Sequence, residues 1–151
     1  MRQLAFLTSA QPFADLALLL LRLFVGLFLI WGVMNSVGSS ERMTEFVNFL
    51  KDHGFPAPQL LASISIYLQL AMGVAFVLGL FTRWAGLLCA IHFGIALALD
   101  HAGGMRGIFP NGCLVFIGLY LGTHGAGRFS IDAALRANEL PRMSSGVRLK
   151  K

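Results

Sequence analysis

The sequence predicts an all-α fold: an integral membrane four-helix bundle with a short amphipathic helix between spans one and two and a short interfacial C-terminal helix. Three observations predict it. Hydrophobic residues make up 56% of the 151 and charged residues only 13%, whereas about 25% of the residues of soluble domains are charged. The apolar residues come in runs of membrane length, since roughly 20 residues of helix cross a hydrocarbon core of about 30 Å. The cations behind the net charge of +5 stand at the ends of those runs. Membrane topology places cations there, and a nucleic-acid partner is not implied.

The first span is read as Leu16 to Val37. It is too long for a signal-peptide core and lacks a small-residue cleavage site, so it is expected to remain as a span. Arg22 falls about 9 Å along it. Such a charge either snorkels to the headgroups or finds a partner at depth. Asp132 is the best partner for a structural ion pair, because the fourth span returns to the same side. Asp15, two turns from Arg22 on its own helix, is too far away.

Between spans one and two, Met43, Phe46, Val47 and Leu50 repeat at i, i+3, i+4 and i+7, which marks an amphipathic helix. Ser40 is the expected N-cap and Glu41 suits the first turn. Gly54 can take the left-handed position at its end, and Pro56 and Pro58 stop continuation. Lying on the membrane surface is the favoured placement, ahead of a lid over the bundle.

The second span is read as Leu60 to Phe81, the third as Trp84 to Leu99 and the fourth as Ile108 to Thr123. Gly86, Ala90, Gly94 and Ala98 put a small residue at every fourth position of the third span, and Gly118 and Gly122 do so in the fourth. These faces let helices approach closely, within one chain or between chains of a homo-oligomer. His92 is placed near mid-depth opposite Gly73, whose missing side chain would leave room for the imidazole; a packing role is favoured over proton carriage. Cys89 and Cys113 are placed at different depths, Cys113 at the start of the fourth span, so no disulfide is expected.

The segment His124 to Leu135, HGAGRFSIDAAL, follows the fourth span. Its glycines do not follow a strand, so it is not a dinucleotide-binding turn. Gly125 and Gly127 end the span, Arg128 meets the headgroups, and Ser130 caps a short helix with Asp132 in its first turn. The chain is thus divided into an N-terminal segment 1–15, a four-span domain 16–136 and a basic tail 137–151. Nine of the twelve cations fall on the side of both termini: Arg2, Arg22, Arg83, Arg128, Arg136, Arg142, Arg148, Lys150 and Lys151. Arg42, Lys51 and Arg106 fall on the other. Both termini are therefore expected on the cytoplasmic side.

Polar residues collect toward the opposite side: Asn35, Tyr67, Gln69, Asp100, His101, Arg106 and Asn111. With His92 below them, Asn35, Tyr67, Gln69, Asp100, His101 and Asn111 suggest a ligand pocket opening outward, against the alternative of a solvated turn with interhelical hydrogen bonds. No His, Cys or carboxylate spacing matches a metal-ligand set, and none of these residues makes a catalytic constellation.

Several stretches together resemble the DoxX family of small four-helix bacterial membrane proteins: Leu-Leu-Arg at 20–22 with Gly26, GFPAP at 54–58, GLFTRWAGL at 79–87, His101, and GAGRFSID after the fourth span. The resemblance runs over about 16–136 and implies a multi-pass protein of the bacterial inner membrane. Family members are described as membrane partners of oxidoreductases, including a subunit of thiosulfate:quinone oxidoreductase. The resemblance therefore implies a partner oxidoreductase and a quinone or another lipid-like molecule as ligand, with membrane lipids around it. This sequence departs from the common pattern. Trp31 and Asn35 stand where many members have His and Lys, Gln69 where many have Glu, and Asn111 where a further Glu is common. Neutral residues at these positions remove groups that carry protons. The leading expectation is a subunit or scaffold without catalysis of its own. A quinone-interacting oxidoreductase subunit using Gln69, His92 and His101 is the alternative, and a small transporter the third.

Overall fold

The computed structural model describes residues 13–99 and 104–137. Among them are α1 (Ala14–Val37), α2 (Ser40–Asp52), α3 (Pro58–Leu78), α4 (Thr82–Leu99) and α5 (Gly104–His124), followed by a short helix α6 at 131–137. The expected N-terminal segment up to residue 12 and nearly all of the basic tail lie outside the described residues. Three helices are long and apolar enough to span a membrane: Ala14–Asn35, Pro58–Leu78 and Thr82–Leu99, with mean hydropathy of 2.5, 2.0 and 1.5. The apolar part of α5, Ile108–His124, is shorter. The whole of α5, at 21 residues, is nevertheless about 31 Å long. The protein is a multi-pass, all-α membrane protein, as expected.

Burial follows helical periodicity although both faces of each span are apolar. On α1, Leu18, Arg22, Val25, Leu29 and Val33 face inward, none more than 4% exposed, while Leu20, Phe24, Leu27 and Trp31 face outward. A soluble helix would turn polar residues outward; here the outward residues are apolar because their solvent is lipid. Phe76 and Met72 of α3, Cys89 and Phe93 of α4, and Leu114 and Leu121 of α5 complete the core.

Glycines decide which helices meet most closely. The α4–α5 and α1–α3 pairs have the most intimate contact, and α3 meets α4 more sparingly. A Cβ on Gly86 would lie 2.5 Å from the Gly122 amide nitrogen and 2.7 Å from the Gly118 carbonyl oxygen. One on Gly118 would lie 2.8 Å from the Ala90 nitrogen. The small-residue ridge therefore works at Gly86, Ala90, Gly118 and Gly122, inside one chain. It does not extend to Gly94, where a Cβ would meet nothing within 4 Å, or to Ala98, which is exposed. Among the described residues the close backbone approach of α4 to α5 is at Gly86 and Ala90, in the first half of α4.

Two further expectations are corrected here. Gly73 faces Gly26 and Ile30 of α1, not His92; close α1–α3 backbone contact is what its missing side chain permits. Cys113 is not at the end of its span, because α5 begins at Gly104 and puts it in mid-helix. Cys89 Sγ lies 3.8 Å from the neighbouring Leu114 carbonyl, so the two cysteines share a depth; both are free thiols.

The amphipathic helix begins one residue earlier than expected. Ser39 is the N-cap, and its Oγ accepts the Arg42 N–H at 3.4 Å. At the other end Gly54 takes φ +74°, and Phe55 N–H and Gly54 N–H reach back to the Leu50 and Lys51 carbonyls at 3.1 and 3.0 Å. This paired return satisfies carbonyls that the helix end leaves open, and it folds Phe55 back beside Leu50. The same closure ends α3 at Gly79, with Leu80 N–H on the Ala75 carbonyl and Gly79 N–H on that of Phe76.

Candidate functional site

Two constellations are built on this frame, one at each end of the bundle. At the end where α3 turns into α4, Arg22 is 1% exposed. Burial excludes snorkelling, and the expected ion pair with Asp132 is replaced by a cage of backbone carbonyls. Arg22 Nε donates to Phe76 O at 3.2 Å and Nη2 to Phe129 O at 3.1 Å, while Nη1 donates to Ala126 O. Phe76 is in the last turn of α3, whose open carbonyls and dipole favour a cation. Asp132 instead works as a distant helix cap. Its Oδ1 and Oδ2 accept the N–H groups of Phe81 and Thr82 at 2.8 and 3.0 Å, at the start of α4, where N–H groups lack intrahelical partners.

The exit segment is thereby strapped across this end of the bundle. Asp132 N–H donates to Gly79 O at 3.0 Å, and a Cβ at Gly79 would meet Arg22 Nη2 at 2.6 Å and Ser130 Cβ at 2.7 Å. Ser130 Oγ accepts from Ala133 N–H at 3.1 Å and so caps α6, as its sequence predicts. Asp15 Oδ1 accepts the Arg128 N–H at 3.4 Å, and its other oxygen lies 4.0 Å from Arg128 Nε. That is the one ion pair among the described residues, and with Arg128 87% exposed it contributes little. Arg22 and Asp132 share one knot without touching as a charge pair. The chemistry of this end is structural.

At the other end lies a cavity of about 470 Å³, within the range of about 300–1,000 Å³ usual for small-ligand sites. Val33 of α1, residues 61–69 of α3 and residues 92–99 of α4 supply its walls, and Phe46, Phe49, Leu50 and Phe55 supply its roof. The amphipathic α2 thus turns its apolar face onto the bundle and covers the cavity. This corrects the favoured expectation of a membrane-surface helix: Leu50 is buried, and the chain return at Gly54 aims Phe55 inward.

Among the described lining residues the polar groups are Ser65, Gln69 and the imidazole of His92. Ser65 Oγ lies 3.4 Å from His92 Nε2, a contact bridging α3 and α4. Gln69 Nε2 donates to the Leu29 carbonyl at 3.3 Å, which leaves its side-chain oxygen available to a ligand. Of the expected ligand residues, Gln69 and His92 come together here. Asn35 and Asn111 are half-buried but do not line the cavity, and Tyr67 is 70% exposed, turned outward one residue from the inward Ile66. Asp100 and His101 lie outside the described residues. The sequence reading missed Ser65 and the α2 aromatics. Ser65 stands four residues before Gln69, one helical turn away on the same face, and that spacing was the available signal. No metal-holding group of His, Cys, Asp and Glu occurs among the described residues.

No curated protein and no solved structure matches the chain. The family comparison matches residues 17–102, from the first span through the cavity-lining part of α4, and stops before the strap. This match covers more than half of the sequence, and the chain belongs to the DoxX family.

Proposed function

We propose that the protein is a non-catalytic membrane subunit that holds one lipid-like molecule in the cavity beneath α2 and supports a partner oxidoreductase. The observation that carries the ligand reading is the cavity itself. It is a ligand-sized apolar space with a small cluster of hydrogen-bonding atoms from Ser65, Gln69 and His92, the composition typical of small-molecule sites. Among the described residues no Asp, Glu, Lys or Arg lines it, which favours a ligand with an uncharged head over a phospholipid, because an unpaired charge there is costly. A quinone, whose carbonyls accept hydrogen bonds and whose tail is hydrocarbon, meets both requirements. The partner and the bacterial inner membrane are proposed from family membership.

Native mass spectrometry of the detergent-purified protein tests the reading. A bound apolar molecule should leave with the protein, and Ala96→Phe, which fills the cavity, should abolish its retention without unfolding the bundle. Protein that carries nothing in either form would remove the ligand reading. The His92–Ser65 contact favours a second reading, a quinone-interacting oxidoreductase subunit in which His92 exchanges protons with the bound head. Redox difference spectra with added quinol, alone and with co-purifying partners, separate the two.

A further inference from the structure

The cavity has a directional opening. Among the described lining residues Ile64 and Ile95 are the two that are exposed, at 50% and 52%. Ile64 is on α3 and Ile95 on α4, within the two spans Pro58–Leu78 and Thr82–Leu99. Their exposed surfaces therefore face hydrocarbon. Every lining residue contributed by α2 and its turn is buried or half-buried, so α2 covers this side of the cavity more fully than lipid-facing Ile64 and Ile95 cover the other. The seam itself is loosely made. α3 and α4 touch sparingly, whereas α4 is pressed on α5 and α3 on α1 through glycine contacts. No glycine brings the α3 and α4 backbones together along this seam. The one side-chain hydrogen bond across it among the described residues joins Ser65 to His92, both of which line the cavity.

We infer that the cavity is loaded sideways from the bilayer through the seam between Ile64 and Ile95, with the ligand's uncharged head inside at Ser65, Gln69 and His92 and its chain lying out between α3 and α4 into the lipid. The inference deepens the ligand reading above and rests on it, because it names the source and orientation of the same occupant. An amphiphile already dissolved in the membrane reaches the polar cluster without crossing water, and its tail keeps its hydrocarbon surroundings throughout. A water-soluble ligand would instead have to displace α2 and expose Phe46, Phe49 and Leu50.

The test uses the full chain in phosphatidylcholine vesicles, with Trp31 and Trp84 replaced by Phe and one new tryptophan at Phe93→Trp in the cavity wall. Phosphatidylcholine with brominated acyl chains probes access from the bilayer, and acrylamide probes access from water. The expected result is loss of emission with the brominated lipid and protection from acrylamide. Adding Ile64→Phe and Ile95→Phe should narrow the seam and restore the emission. Quenching by acrylamide, by both agents alike or by neither would overturn the inference. If Phe93→Trp does not fold, Phe49→Trp reports from the roof with the same expectations. Failure of the two readings is distinguishable: quenching by brominated lipid in a protein that retains no ligand in the mass spectrometer keeps the seam and removes the bound ligand.

Discussion

Arg22 is the residue whose removal should be felt most. Its guanidinium satisfies three carbonyls, one at the end of α3 and two in the exit strap, and a hydrogen bond to a charged group contributes about 1.5–3 kcal/mol. Arg22→Ala should therefore lower stability by roughly 3 kcal/mol or more, read as a fall in the unfolding midpoint in detergent. Arg22→Lys should rescue little, because an ammonium is a point donor and lacks the planar fork that reaches three carbonyls at once. Asp132→Ala should cost about 0.5–2 kcal/mol, as loss of a helix cap does. The double variant should cost less than the sum, since both residues hold the same strap; strict additivity would show that the two ends of the knot are independent. The sequence already held a sign of Arg22's burial. It falls in the stripe Leu18, Arg22, Val25, Leu29, whose other members are core. Its partners were not legible, because they are main-chain carbonyls, which every residue possesses and no sequence advertises.

At the scale of elements, the glycines divide into those pressed on backbone and those facing space. Gly86→Ala puts a methyl group against the Gly122 main chain, which cannot withdraw without parting α4 from α5. We expect a loss of about 1–3 kcal/mol, of the size overpacking brings. Gly94→Ala has open space and should leave the unfolding midpoint unchanged or slightly raised. Thermal unfolding of the two variants side by side checks this; equal losses would mean that the later ridge is also buried, against a second chain. The period of four was readable in the sequence, but how far along the ridge two helices stay together depends on their crossing, and residue spacing does not encode that. The amphipathic helix shows the same division. Its apolar stripe was legible in Met43, Phe46, Val47 and Leu50, but the stripe is equally suited to a membrane surface and to a bundle. Contacts of α2 with α1 and α3 decide between them, and those depend on tertiary structure.

For the whole molecule, the cation asymmetry sets the expected orientation, with the strap on the cytoplasmic side and α2 on the other. Cysteine introduced at Ala137 should be shielded from an impermeant maleimide in intact cells, and cysteine at Ser39 should react. Labelling at Ala137 from outside would reverse the orientation. The first three spans and their order were readable because hydropathy measures what lipid demands of a whole helix. Which face of each span turns inward was much less readable, since lipid and core are both apolar. The cavity shows the consequence. Gln69 and His92 were identified by polarity, whereas the Phe, Leu and Ile that enclose them resemble every other apolar residue in the chain. Polarity alone also promoted Tyr67, which faces outward.

The carbonyl cage also has a consequence for biosynthesis. Arg22 and Phe129 are 107 positions apart, and at about 5–20 residues per second a ribosome needs on the order of ten seconds to pass from one to the other. During that interval the guanidinium of the newly inserted first helix has no strap to receive it. Until α5 and the strap arrive, water, headgroups or the insertion machinery must take their place. A chain that stops short of the strap leaves Arg22 with the Phe76 carbonyl alone and without its other two acceptors. Completion of the cage thus marks a chain that has been translated through α5 and the strap.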